Sequence, residues 1–170
     1  MQRLTLGACL AAGMVILAGA GMAKNIDGGP ADVTPEAMAK TQADCRAQPY
    51  SMLITVRNIR DAKGFFTIDL HGDNPATFLK TGAKIGRVRV PAAKGDIQAC
   101  VPVPRPGTYG VGLYQDKNAN FIFDKGLFGI PAEPYGVSND PPIPLGPPKF
   151  KDSAVKVDHP LTPVTITLHN

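Results

Sequence analysis

From Pro49 onward, apolar and polar residues alternate with a period of two rather than the 3.6 of a helix, which predicts strands. Met52, Ile54 and Val56 alternate with Leu53, Thr55 and Arg57. After a turn at residues 61–64, Phe66, Ile68 and Leu70 share one face, with Asp69 and His71 on the other. The two runs read as a hairpin, with His71 as a solvent-facing strand end. Next, Val88 and Val90 point inward against outward Arg87 and Arg89. Ile97, Ala99, Val101 and Val103 alternate with Gln98 and Cys100, and Pro102 in that run indicates an edge strand or a strand end. Tyr109, Val111 and Leu113 form the face of a central strand. Gly110 and Gly112 leave its other face bare, ready for a close approach by the loop that follows. The last runs place Ser153, Val155 and Val157, then Val164, Ile166 and Leu168, on single faces. Thr165, Thr167 and His169 face outward in a half-buried antiparallel pattern. About seven short strands in two antiparallel sheets packed face to face is the economical solution, an all-β sandwich.

The first 48 residues break this rhythm. Residues 1–23 carry Arg3, an apolar Ala/Gly-rich run and the small residues Gly21 and Ala23, the pattern of a signal peptide cleaved after Ala23. Its Gly/Ala content and small-residue end favour cleavage over a retained anchor, so no membrane span is expected after processing. Residues 6–9 resemble a lipoprotein box but leave almost no apolar run before Cys9. Residues 24–48 are a tether in which Thr34, Pro35 and Glu36 supply an N-cap, a first-turn proline and an acid for a short helix to about Ala43. Residues 49–170 are then the sandwich. Export leaves two of the three cysteines, Cys45 and Cys100. In a periplasmic or secreted chain such a pair favours a disulfide over a metal site or a nucleophile.

Losing Arg3 with the leader takes the formal charge from +4 to +3. The charge is dispersed and aromatics are few, which excludes nucleic acid as a partner. The candidate chemistry sits between Gly107 and Asp140. Asp116, Asn118, Asn120 and Asp124 fall at positions one, three, five and nine of a cation loop, with the Ile122 carbonyl at seven. Glu133 is a possible additional ligand. Phe121 holds the sixth position, where the sharp turn normally takes glycine, and Leu127 replaces the bidentate Glu of an EF-hand. With two carboxylates, calcium affinity is expected at the weak extracellular end, roughly 0.1–1 mM. The competing reading is a polar turn whose Asx side chains bond their own backbone. Glu133, Tyr135, Ser138 and Asn139 form a candidate surface for an unknown envelope or extracellular partner, or for a small ligand. A hydrolase using Glu133 or Asp116 as acid/base is the alternative. Against it, Ser138 has no histidine in the motif region and lacks the second glycine of a nucleophile elbow.

Gly107, Tyr109, Asp116, Asn118, Asn120 and Asp124, followed by Gly129, Ile130, Pro131, Glu133, Tyr135, Gly136, Ser138 and Asn139, resemble the pattern of an exported bacterial family, domain of unknown function 2141. The resemblance runs from about Tyr50 to the C-terminus and departs at Phe121, where the family usually has glycine. It implies a secreted β-sandwich of transthyretin (prealbumin) type. It implies no activity, so a non-enzymatic binding or structural module is the expectation.

Overall fold

The computed structural model describes residues 33–143 and 146–170. The leader, its boundary at Ala23 and residues 24–32 of the tether lie outside the described residues. Among the described residues, a helix α1 (Pro35–Arg46) precedes the strands β1 (Ser51–Arg57), β2 (Phe65–His71), β3 (Gly86–Pro91), β4 (Ile97–Pro102) and β5 (Gly107–Asp116). After a long excursion come β6 (Tyr135–Val137), a single helical turn α2 (Phe150–Ser153), β7 (Ala154–Val157) and β8 (Leu161–Thr167). The fold is all-β in character, with eight strands in two sheets. One sheet runs β4-β1-β8; the other runs β3-β2-β5-β6, with β7 also on β5. One core fills the space between them, with Met52, Ile54, Val56, Val101 and Ile166 from the first sheet meeting Phe66, Ile68, Leu70, Val111 and Val157 from the second.

The alternation places the inward residues correctly but not the neighbours. β1 and β2 are not a hairpin. They lie in different sheets, with β1 between β4 and β8, and β2 between β3 and β5. A period of two records which face is buried, and the two apolar faces here look at each other across the core instead of sharing one side. β8 joins β1 in parallel, not antiparallel, register, Met52 opposite Thr162 and Val56 opposite Ile166. Pro102 does mark an edge, since β4 is the outer strand of its sheet. Ser153 ends α2 rather than joining the β7 face.

The second sheet is covered on its outer side as well. Phe78, Val137 and Phe150 form a second apolar cluster with Leu79, Ile143 and Ala154. Gly110 and Gly112 are indeed sites of close approach: a Cβ would lie 2.4 Å from the Phe78 ring at one and 2.6 Å from Leu79 at the other. The approaching segment is thus the 74–80 turn, not the 116–140 loop. Two outward assignments fall with this covering. His71 is buried, its ring edge-on to Phe78 at 5.4 Å. Arg89 is buried with its guanidinium over Phe65 and Phe121, 5.8 and 5.1 Å from the ring centroids. Arg87 keeps its outward face and pairs across the strands with Asp69, Nη2 to Oδ2 2.7 Å.

Burial holds the His71 pKa below its ordinary value of 6.5; Asp69 opposes this, while Lys84 and Arg87 reinforce it. The folded state therefore binds this proton later than the unfolded chain as pH falls. The associated stability is complete above pH 6.5 and is lost as pH drops through the lowered folded value. We expect the melting midpoint to fall between pH 7.5 and pH 5, and His71→Gln to flatten part of that fall. Parallel melting curves for the two proteins across this range would contradict the assignment.

Candidate functional site

The excursion between β5 and β6 begins where β5 ends, because Asp116 is both the last strand residue and the first loop ligand. Its side chain is fully buried. Asp116 Oδ1 accepts from the Asn120 N–H at 3.1 Å and Oδ2 from the Phe121 N–H at 2.7 Å. The next Asx residues repeat this on a smaller scale: Asn118 Oδ1 accepts from Asn120 N–H at 3.2 Å, and Asn120 Oδ1 from Ile122 N–H at 2.9 Å. Both carboxamide nitrogens then turn to Asp124. Asn118 Nδ2 donates to Oδ2 at 2.8 Å, and Asn120 Nδ2 reaches both oxygens at 3.1 Å. The side chains at positions one, three, five and nine thus form one hydrogen-bonded loop.

Such a loop needs a left-handed backbone, and Ala119 (φ 57°) and Phe121 (φ 67°) supply it. A non-glycine residue there costs about 1–2 kcal/mol. Phe121 offsets that by packing its ring on Phe65, 5.5 Å between centroids, and over the Arg89 guanidinium. A cation–π contact of this kind contributes about 0.5–2 kcal/mol. The turn that glycine would make is therefore held by a side chain at a similar net energy.

Glu133 meets the loop at its two ends. It is buried, Oε1 accepting from Lys117 N–H at 2.9 Å and Oε2 from Asp124 N–H at 3.1 Å, so it clasps the two ends of the loop. Burial raises its pKa above the usual carboxylate value; the two backbone N–H groups pull it down, and the charges of Asp116 and Asp124 push it up. Each oxygen thus keeps a backbone N–H partner. Among the described residues, no group of three or more His, Cys, Asp or Glu side chains is arranged to hold a metal ion. The loop's oxygen donors are those of Asp116 and Asp124, the two carboxamides and the Ile122 carbonyl, with both Asp116 oxygens and both carboxamide oxygens already accepting backbone N–H groups.

The four residues read as a partner surface are not brought together as one. Ser138 is fully buried, accepting from Val111 N–H at 3.0 Å and donating to the Ser153 carbonyl. Asn139, at φ 67°, donates to the Ala154 carbonyl at 2.8 Å. Glu133 is the clasp, and Tyr135 stacks on His169 at 5.4 Å. These residues fasten the return of the excursion to β5, β7 and β8, which is a structural reason for their types. Gly136 belongs with them, since a Cβ there would lie 2.5 Å from Ile166.

The sequence pattern described as "Uncharacterized protein conserved in bacteria (DUF2141)" matches residues 54–165, well over half of the chain. The chain belongs to this family. No curated protein and no solved structure matches it. In this DUF2141 chain two features escaped the reading of the sequence. Gln115, fully buried, donates to Asp61 Oδ1 and to the Lys63 carbonyl, both at 2.9 Å, tying the end of β5 to the turn before β2. Ile122, Leu127, Phe128 and Ile130 are exposed. Apolar residues without either period were the available signal for that patch. Beside it an open pocket of about 410 Å³ is walled by Arg60, Lys117, Ile130, Glu133, Tyr135 and His169. No helix among the described residues is long and apolar enough to cross a membrane.

Proposed function

We propose that this chain is an exported, non-enzymatic β-sandwich of transthyretin-like type, a binding or structural module whose 116–124 loop takes calcium weakly. The observation that carries the reading is the convergence of Asn118 and Asn120 on Asp124 over a backbone left-handed at the sixth position. Turning the two carboxamides over, at the expense of the bonds they accept from the Asn120 and Ile122 N–H groups, would set their oxygens beside the Asp124 carboxylate, with Asp116 and the Ile122 carbonyl completing a set of hard oxygen donors. The cation would stiffen the excursion and leave the sandwich unchanged. The full burial of Ser138, bonded to Val111 and Ser153 main-chain groups, supports the non-enzymatic part. The Cys45–Cys100 bond supports export, because such bonds persist in oxidising compartments.

The expected result is a melting midpoint a few degrees higher in about 1 mM calcium than in chelator. At a dissociation constant near 0.1 mM, binding stabilises the fold by about 1.4 kcal/mol. Asp124→Ala should melt at one temperature in both buffers. If the parent protein also melts identically in both, the loop is a self-bonded polar turn and the calcium reading fails.

A further inference from the structure

The excursion ends in a small hairpin whose chemistry is opposite to that of its base. Lys125 bridges to Pro131, the Gly126 N–H donates to the Ile130 carbonyl at 2.7 Å, and the Gly129 N–H returns to Gly126 at 3.2 Å. Leu127–Gly129 closes the tip as a 3-10 turn with Phe128 at φ 59°. Leu127 is 76 % exposed and Phe128 91 %, and Ile122 and Ile130 are exposed at 61 % and 64 %. An exposed phenylalanine held in a left-handed conformation gains nothing from the fold.

The charge around the tip is sorted. Two acidic groups of the excursion are turned inward, Asp116 and Glu133 buried on backbone N–H groups, and half-buried Asp124 is held by two carboxamides. The cations face out: Lys125 in the hairpin stem is exposed, and exposed Arg60 shares a wall with Ile130.

We infer that this tip inserts into an anionic lipid surface, with Leu127 and Phe128 entering the acyl boundary and Lys125 and Arg60 meeting the headgroups. Three considerations favour lipid over protein. A convex tip of a few residues offers far less than the roughly 800 Å² per partner of a stable protein interface. Its N–H groups at Gly126 and Gly129 are bonded within the hairpin, so entry into an apolar medium strands neither of them. An apolar point with Lys125 in its stem and Arg60 beside it, the Lys117–Asp61 pair in the same wall neutralising itself, matches an anionic membrane interface. This goes beyond the calcium reading and does not need the cation.

The test is co-sedimentation of the mature chain with vesicles of phosphatidylglycerol and phosphatidylcholine, and with phosphatidylcholine alone, all in chelator so that a silent calcium loop leaves the assay untouched. Binding is expected to the anionic vesicles, weakening with salt. Leu127→Ser with Phe128→Ser should reduce it about tenfold to a hundredfold without moving the melting midpoint. Lys125→Glu should reduce it by a smaller factor. Equal binding by the serine variant, or none by the parent, overturns the inference. A dimer in lipid-free solution that the serine substitutions abolish would instead make a second copy the occupant, and overturns it too.

Discussion

Replacing Cys45 and Cys100 together by serine is expected to lower the melting midpoint by roughly 15 °C and to free α1 from the domain. The bond joins residues 55 apart with Cα atoms 5.9 Å from each other. A loop of that length contributes about 4 kcal/mol by restricting the unfolded chain. Little else holds the helix. α1 is 12 residues long, of which Met38 and Cys45 are buried, and a helix that short is marginal alone. Its polar anchor is Gln42, whose Nε2 donates to the Cys100 carbonyl at 3.1 Å and whose Oε1 accepts from the Cys100 N–H at 2.6 Å. Those are main-chain groups of β4, the outer strand of its sheet. Gln42 stands in for a neighbouring strand there, so losing the helix uncaps the edge as well. Hydrogen exchange should show α1 amides losing protection first and β5 last. A midpoint moved by less than about 3 °C, with α1 still protected, would mean that Gln42 and Met38 hold the helix without the bond.

The inward residues were legible because burying one face imposes the period of two whatever the neighbours. Met52, Ile54 and Val56 needed nothing more. Strand partners were not legible. Whether β1 pairs with β2 or with β4 is decided by the path of residues 58–64, which the alternation does not encode. His71 and Arg89 were misplaced for a related reason. They sit on the correct face of their strands, but covering that face takes the distant Phe78 and Phe121. The loop was legible as a spacing of Asx residues, since Asp116, Asn118 and Asn120 each cap the backbone two to five residues on and Asp124 receives the two carboxamides. The clasp by Glu133 was not, because it depends on where the chain returns 16 residues after Lys117. The helix start at Thr34 and Pro35 was read correctly, the Thr34 hydroxyl accepting from the Ala37 N–H at 3.2 Å. Its end came three residues later than expected, at Arg46 beside the disulfide.

Gly64→Ala is expected to destabilise the domain by at least about 3 kcal/mol, roughly 10 °C, and to remove any calcium response with it. Gly64 precedes β2 at φ 65°, and a Cβ there would stand 1.8 Å from the Asp116 carbonyl oxygen and 2.8 Å from its carbon. The obstacle is main chain, which no rotamer change relieves. Phe65 is paired with Asp116 in the β2–β5 register, so the ladder cannot open at this point without losing the end of both strands. Any shift of Asp116 also draws its carboxylate away from the Asn120 and Phe121 N–H groups, and the loop loses its first fixed point. Gly82→Ala supplies the comparison. That glycine is likewise left-handed, at φ 77°, but a Cβ there meets nothing within 4 Å. It should lose only the conformational part, about 1–2 kcal/mol. The difference between the two variants therefore measures the contact between the turn and the start of the loop. Equal midpoints would place Gly64 away from Asp116 in solution, and the loop would then need another anchor.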